Sequence, residues 1–100
     1  THRSGALYDM IAPNAAKRVR PAGEWNRSRI VFRGNHGEHW LNGARVVSFE
    51  LGTPAFDSAF AQSKYAKYPP WFPVRRLGRI VLQDHDAVVW FRDIKIRVLK

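Results

Sequence analysis

The sequence predicts an all-β chain, an antiparallel β-sandwich with one short crossover helix near residues 54–67. Three observations predict it. An Asn42-Gly43 pair sits between two runs rich in β-branched and aromatic residues. Residues 53–67 switch to a helical period. Residues 79–99 return to apolar alternation.

Residues 1–23 carry little periodicity, with Ser4 to Tyr8 read as a short strand and turns expected at Ala12-Pro13-Asn14 and Pro21-Ala22-Gly23. Arg29 to Arg33 reads as a strand, Gly34 to Gly37 as a connection, and Glu38 to Leu41 as the next strand. Asn42-Gly43 then turns the chain into Ala44 to Phe49, because both central residues of a type I′ turn need positive φ. An unbroken ladder pairs Leu41 with Ala44, Trp40 with Arg45, His39 with Val46 and Glu38 with Val47. It places His39, Leu41, Ala44 and Val46 on one face. Glu38, Trp40, Arg45, Val47 and Phe49 fall on the other, where Trp40 and Arg45 are placed to stack. Apolar groups fall on both faces, so the pattern leaves open which one is the main core.

Thr53 is placed to cap a helix, Pro54 suits its first position, and Phe56, Phe60 and Lys64 recur at helical spacing. Tyr68 to Pro73 reads as a stiff aromatic loop. Arg79 to Gln83 and Val88 to Leu99 read as strands around a turn at His85-Asp86. The apolar phase slips between Phe91 and Ile94, which predicts a β-bulge at Arg92-Asp93. Four or five strands are few for two closed sheets, so further strands are expected upstream.

A share of 45% hydrophobic and 13% aromatic residues is enough for a packed core and argues against bulk disorder. No apolar run approaches the roughly 20 residues that a bilayer span needs. The absence of cysteine excludes disulfides, zinc–thiolate sites and a cysteine nucleophile. The net charge is +9, from 17 Lys and Arg against 8 Asp and Glu. Most arginines alternate with apolar residues, which favours a solvated strand face over a continuous stripe for a polyanion.

The run Gly34-Asn35-His36-Gly37-Glu38-His39-Trp40-Leu41-Asn42-Gly43 resembles the GNHxEHWLNG segment of the 3-keto-disaccharide hydrolase (DUF1080) family. Ser4 to Pro13, Gly23 to Asn26, Leu82 to His85 and Val89 to Ile96 resemble further family segments in the same order. Asp86 stands where the family often has Gly, and Asp93 where it has Asn. The resemblance implies a concanavalin-A-like jelly roll, of which residues 1–100 are the C-terminal portion of a single domain, and a periplasmic or secreted setting. It also implies that roughly half of the domain lies upstream of Thr1, so this stretch alone is expected to be marginal.

The implied activity is hydrolysis of glycosides already oxidised at C3, by elimination and then hydration. That route needs a base, an acid and an electrophile for the enolate oxygen. The expected catalytic residues are His39 and His85. His39 sits mid-strand, where a core histidine satisfied by hydrogen bonds is the competing reading; for His85 it is a turn residue bonded to backbone. Gln83, Trp40, Trp90, Arg92 and Trp71 are the expected substrate-binding residues. Against them stand core packing for Trp40 and Trp90, and closure of the bulge for Arg92. His36 is placed in a loop as a weaker candidate. No cofactor or metal site is expected, although Asp84, His85 and Asp86 carry donors suited to a divalent cation. The partner expected is a carbohydrate, with neither nucleic acid nor a membrane span. The alternative function is a non-catalytic lectin-like carbohydrate-binding module.

Overall fold

The computed structural model describes residues 2–67, 78–84 and 86–99. Its framework is a three-stranded antiparallel sheet in the order β1 (Ser28–Arg33), β2 (His36–Leu41) and β3 (Ala44–Glu50). One helix, α1 (Pro54–Ala61), and a 3-10 turn, Lys64–Lys67, follow. This is consistent with the all-β class.

Both hairpin turns have two residues. Asn42 and Gly43 have φ of 48° and 84°, the left-handed pair that the type I′ turn requires. The other turn is Gly34-Asn35, since Arg33 pairs with His36. β2 therefore begins at His36, two residues before the expected strand. Gly37 lies in the centre of the pairing, opposite Phe32 and Phe49. A Cβ there would clash with the Phe49 ring and come within 3.0 Å of that of Phe32, so only glycine leaves room for the two rings to meet edge to face.

The expected unbroken ladder between β2 and β3 is not what forms. Leu41 pairs with Ala44 and Trp40 with Arg45, but His39 pairs with Val47 and Glu38 with Ser48. Val46 is the extra residue of a β-bulge, and from there the pairing is one residue out of step with expectation. Val46 and Val47 are both buried, and Phe49 follows them inward. All the apolar groups of β3 thus gather on one face, which resolves the two-faced pattern of the sequence. Asn14 holds the irregular strand: its backbone N–H donates to the Val46 carbonyl at 2.8 Å and its side-chain amide to the Arg45 carbonyl at 3.0 Å.

Leu41, Val46, Val47, Phe49, Phe56 and Phe60 make the core. α1 reaches it through Phe56, whose ring lies 5.8 Å from that of Phe49. The helix starts where expected: the Thr53 hydroxyl accepts from the Phe56 N–H at 3.3 Å, and Pro54 opens the first turn. It is shorter than the expected span and gives way to the 3-10 turn after Ala61.

Three expected strands do not form. Ser4 to Tyr8 is a series of turns with one isolated bridge, Leu7 to Ile11. The described residues of 78–99 carry no strand, and with them goes the predicted bulge at Arg92-Asp93. Alternation sets which way side chains face but supplies no hydrogen-bond partner, and no described strand pairs with this segment. Asp86 and Asp93 instead adopt left-handed backbone, φ 61° and 53°, a region that Asp and Asn tolerate better than most residues. The aromatic loop expected at Tyr68 to Pro73 lies outside the described residues.

Candidate functional site

The polar face of the sheet carries the densest set of chemical groups among the described residues. Along β2, residues two apart share a face, so His36, Glu38 and Trp40 line up on it. Their partners across β3 are Glu50, Ser48 and Arg45, and across β1 they are Arg33, Val31 and Arg29.

Glu38 is the hub. Its Oε1 accepts from the Trp40 indole N–H at 2.9 Å. Its Oε2 accepts from His36 Nε2 at 2.8 Å and from the Arg45 guanidinium at 3.3 Å. His36 Nδ1 meets the Glu50 carboxylate on the neighbouring strand. An ionised carboxylate only accepts, so with both carboxylates ionised the two contacts call for a donor at each ring nitrogen, which the imidazolium form of His36 supplies. The bonds to Glu38 and then Glu50 raise the His36 pKa above its ordinary 6.5. The Glu38 pKa drops to about 2, chiefly through His36 and next through Trp40. The Arg29 guanidinium stands 5.7 Å from the centre of the Trp40 ring. Arg29 takes the place over Trp40 that the sequence suggested for Arg45, because Arg45 is drawn to Glu38.

His39 points to the other face. Its Nδ1–H donates to the Gly5 carbonyl at 3.0 Å, and its ring meets Phe49 edge to face at 5.8 Å. In the neutral ring this bond leaves the lone pair on Nε2. Neighbouring strand residues point oppositely, so His39 and Trp40 cannot touch one sugar together from this sheet.

The remaining candidates lie in the C-terminal segment. Gln83 is exposed, and Trp90 is 78% exposed. Arg92 places its guanidinium 4.0 Å from the ring centre of Trp25, so it neither closes a bulge nor joins the β2 face. No hydrogen bond or ring contact among the described residues links Gln83, Trp90 or Arg92 to His39 or Trp40. Trp71 and His85 lie outside the described residues. Among the described residues no group of three or more His, Cys, Asp or Glu is arranged to hold a metal ion. No helix there is long and apolar enough to cross a membrane.

Arg29, Glu38, Arg45 and Glu50 are not among the site residues that the sequence singles out, and there His36 falls in a loop. The signal for three members was present: His36, Glu38 and Trp40 alternate, once the strand is allowed to begin at His36. Glu50 was hidden by the bulge, which alone brings it to this face.

Residues 1–97 match the family model described as the 3-keto-alpha-glucoside-1,2-lyase-like domain. The chain belongs to this family. Within the 3-keto-alpha-glucoside-1,2-lyase-like family it is similar to a curated 3-keto-disaccharide hydrolase of Bacteroides thetaiotaomicron. The two are 33% identical over 106 residues, covering 97% of this chain and 36% of the relative. It is also similar to a crystal structure from Parabacteroides distasonis ATCC 8503, described as that of a "putative glycosyl hydrolase". That likeness has a TM-score of 0.63 at 34% identity and covers 68% of this chain and 31% of the other. The chain thus spans about a third of the length of each.

Proposed function

We propose that this chain is part of a carbohydrate-active hydrolase that cleaves 3-keto-glycosides and 3-keto-disaccharides by elimination followed by hydration. The observation that carries the reading is the polar face of β2 and β3, where an imidazolium, two carboxylates, an indole and a guanidinium form one bonded set. Family membership supports the substrate class. The family's lyase-like description and the relative's hydrolase name are compatible with one chemistry, because elimination is the first half of this hydrolysis.

A ketone at C3 acidifies the proton on C2. A base removes that proton, and its electron pair forms the C1–C2 double bond. The C1–O bond breaks, and the leaving oxygen takes a proton from an acid. Water then adds across the double bond, hydroxyl to C1 and hydrogen to C2. In this reading His36, held as an imidazolium, is the acid, and the more exposed carboxylate, Glu50, is the base. Arg29 and Arg45 supply positive charge toward the enolate oxygen, and Trp40 is a sugar platform. His39, on the opposite face, holds the tautomer that a base requires and is the second candidate for that role. The rest of the reading is a jelly-roll sandwich that works in the periplasm or outside the cell.

The test is incubation of the full-length protein with a 3-keto-disaccharide and with its unoxidised parent. Release of sugar from the keto compound alone is the expected result, and cleavage of neither overturns the reading. His36→Gln is expected to lower kcat by about 100-fold or more, the scale of a positioned acid. If His39→Gln abolishes turnover while His36→Gln leaves it intact, the chemistry moves to the opposite face.

A further inference from the structure

We infer that Glu38 is the positioning residue of this face, setting the charge state of His36 and the orientation of Trp40 through convergent hydrogen bonds. The inference rests on the 3-keto-glycoside reading for its catalytic consequence, but its structural content stands separately. His36 and Trp40 are four residues apart on β2, a separation of about 13 Å along the strand, too far for them to bond each other. Glu38 lies between them and reaches both, at 2.8 Å and 2.9 Å. Its side chain is only 16% exposed, while the Glu50 side chain is 51% exposed. The inner carboxylate is therefore the better shielded from competition by water.

The charged groups around His36 come from three strands. Glu38 lies on its own strand, Glu50 is opposite on β3, and Arg33 is opposite on β1. Arg45 reaches the set through Glu38, and Arg29 through the Trp40 ring. Of the contributions that raise the His36 pKa, the hydrogen bond to Glu38 is the largest, ahead of that to Glu50. The same carboxylate fixes the indole, since a ring whose N–H is bonded at one edge and which carries a cation over its face has few orientations left.

The closing experiment reads both effects without substrate. Selectively labelled full-length protein is followed by NMR, with the His36 titration midpoint and the Trp40 indole N–H resonance as readouts. Kinetics on the 3-keto-disaccharide run alongside. Glu38→Gln keeps the shape and one acceptor oxygen but loses the charge. It is expected to lower the His36 midpoint, shift the Trp40 N–H resonance and reduce kcat by roughly 100-fold. Glu38→Asp keeps the charge on a shorter stem and is expected to restore part of the His36 midpoint. An unchanged His36 midpoint and an unchanged Trp40 resonance in Glu38→Gln overturn the inference, whatever the activity. A fall in kcat without either spectral change overturns it too, since Glu38 would then act on the substrate directly. If Glu38→Gln fails to fold, Glu38→Asp decides: a midpoint below wild type supports the inference, and an unmoved midpoint and resonance overturn it. If both signals move while the wild type cleaves no 3-keto substrate, the positioning role stands and the proposed reaction falls.

Discussion

Residues 28–50 and residues 79–98 alternate apolar and polar side chains in much the same way, yet the first stretch is a three-stranded sheet and the second carries no strand in its described residues. The difference lies in where the hydrogen-bond partners come from. In the first stretch, two two-residue turns bring each strand back against its neighbour, so every pairing is local and its loop closes at little entropic cost. In the second stretch Ile80, Trp90 and Ile96 are each more than 70% exposed, with no described strand beside them. A β pattern is thus a statement about faces, and the sheet appears only where a turn or a neighbour supplies the pairing.

Three experiments break or sharpen this contrast. The largest effect is expected from Phe49→Ala. Phe49 is buried and touches the rings of Phe32, His39 and Phe56, so it ties all three strands to α1. Its loss is expected to cost about 3–5 kcal/mol in denaturant unfolding, and a cost below about 1 kcal/mol removes the hairpin as the centre of stability.

A smaller effect is expected from pH. His36 has a folded pKa raised above 6.5, so its contribution is fully present below 6.5 and fades as pH rises through the folded value. Glu38 has its pKa lowered from 4.5 to about 2, so its contribution is present above 4.5 and fades as pH falls toward 2. Both act together between 4.5 and 6.5. The melting temperature is expected to peak in that window, and to lose its alkaline decline in His36→Gln. A wild-type curve with no decline above 6.5 counts against a stabilising role for the bonds of His36 to Glu38 and Glu50.

The smallest effect is expected from Ile96→Ser, on a side chain that is 75% exposed. A change within about 0.5 kcal/mol is the expectation for such a surface position. A loss of about 2 kcal/mol in the full-length protein breaks the comparison, because it places Ile96 in a packed interior there.

The same contrast explains what the sequence made legible. The Asn42-Gly43 turn, the Thr53 cap and the buried pair Phe56 and Phe60 rest on residues within a few positions of one another, and local chemistry decides them. The family was legible for a related reason, since its segments are contiguous runs. The bulge at Val46 was not legible, because it depends on Asn14 reaching the strand from 31 residues away. The site suffered accordingly: His36 and Trp40 were visible as types, but Glu50 joins them only through that displaced register.

The bulge also bears on how the two sides of β3 are sorted. Arg45 lies before the extra residue, and Ser48 and Glu50 after it, yet all three share the polar face. Closing the bulge with both valines kept, so that His39 paired with Val46, would invert everything downstream, turning Phe49 toward water and Glu50 toward the phenylalanine cluster. One unpaired residue therefore acts as a parity switch, and it is what allows oil and charge to part cleanly across a strand whose letters, read in plain alternation, would mix them.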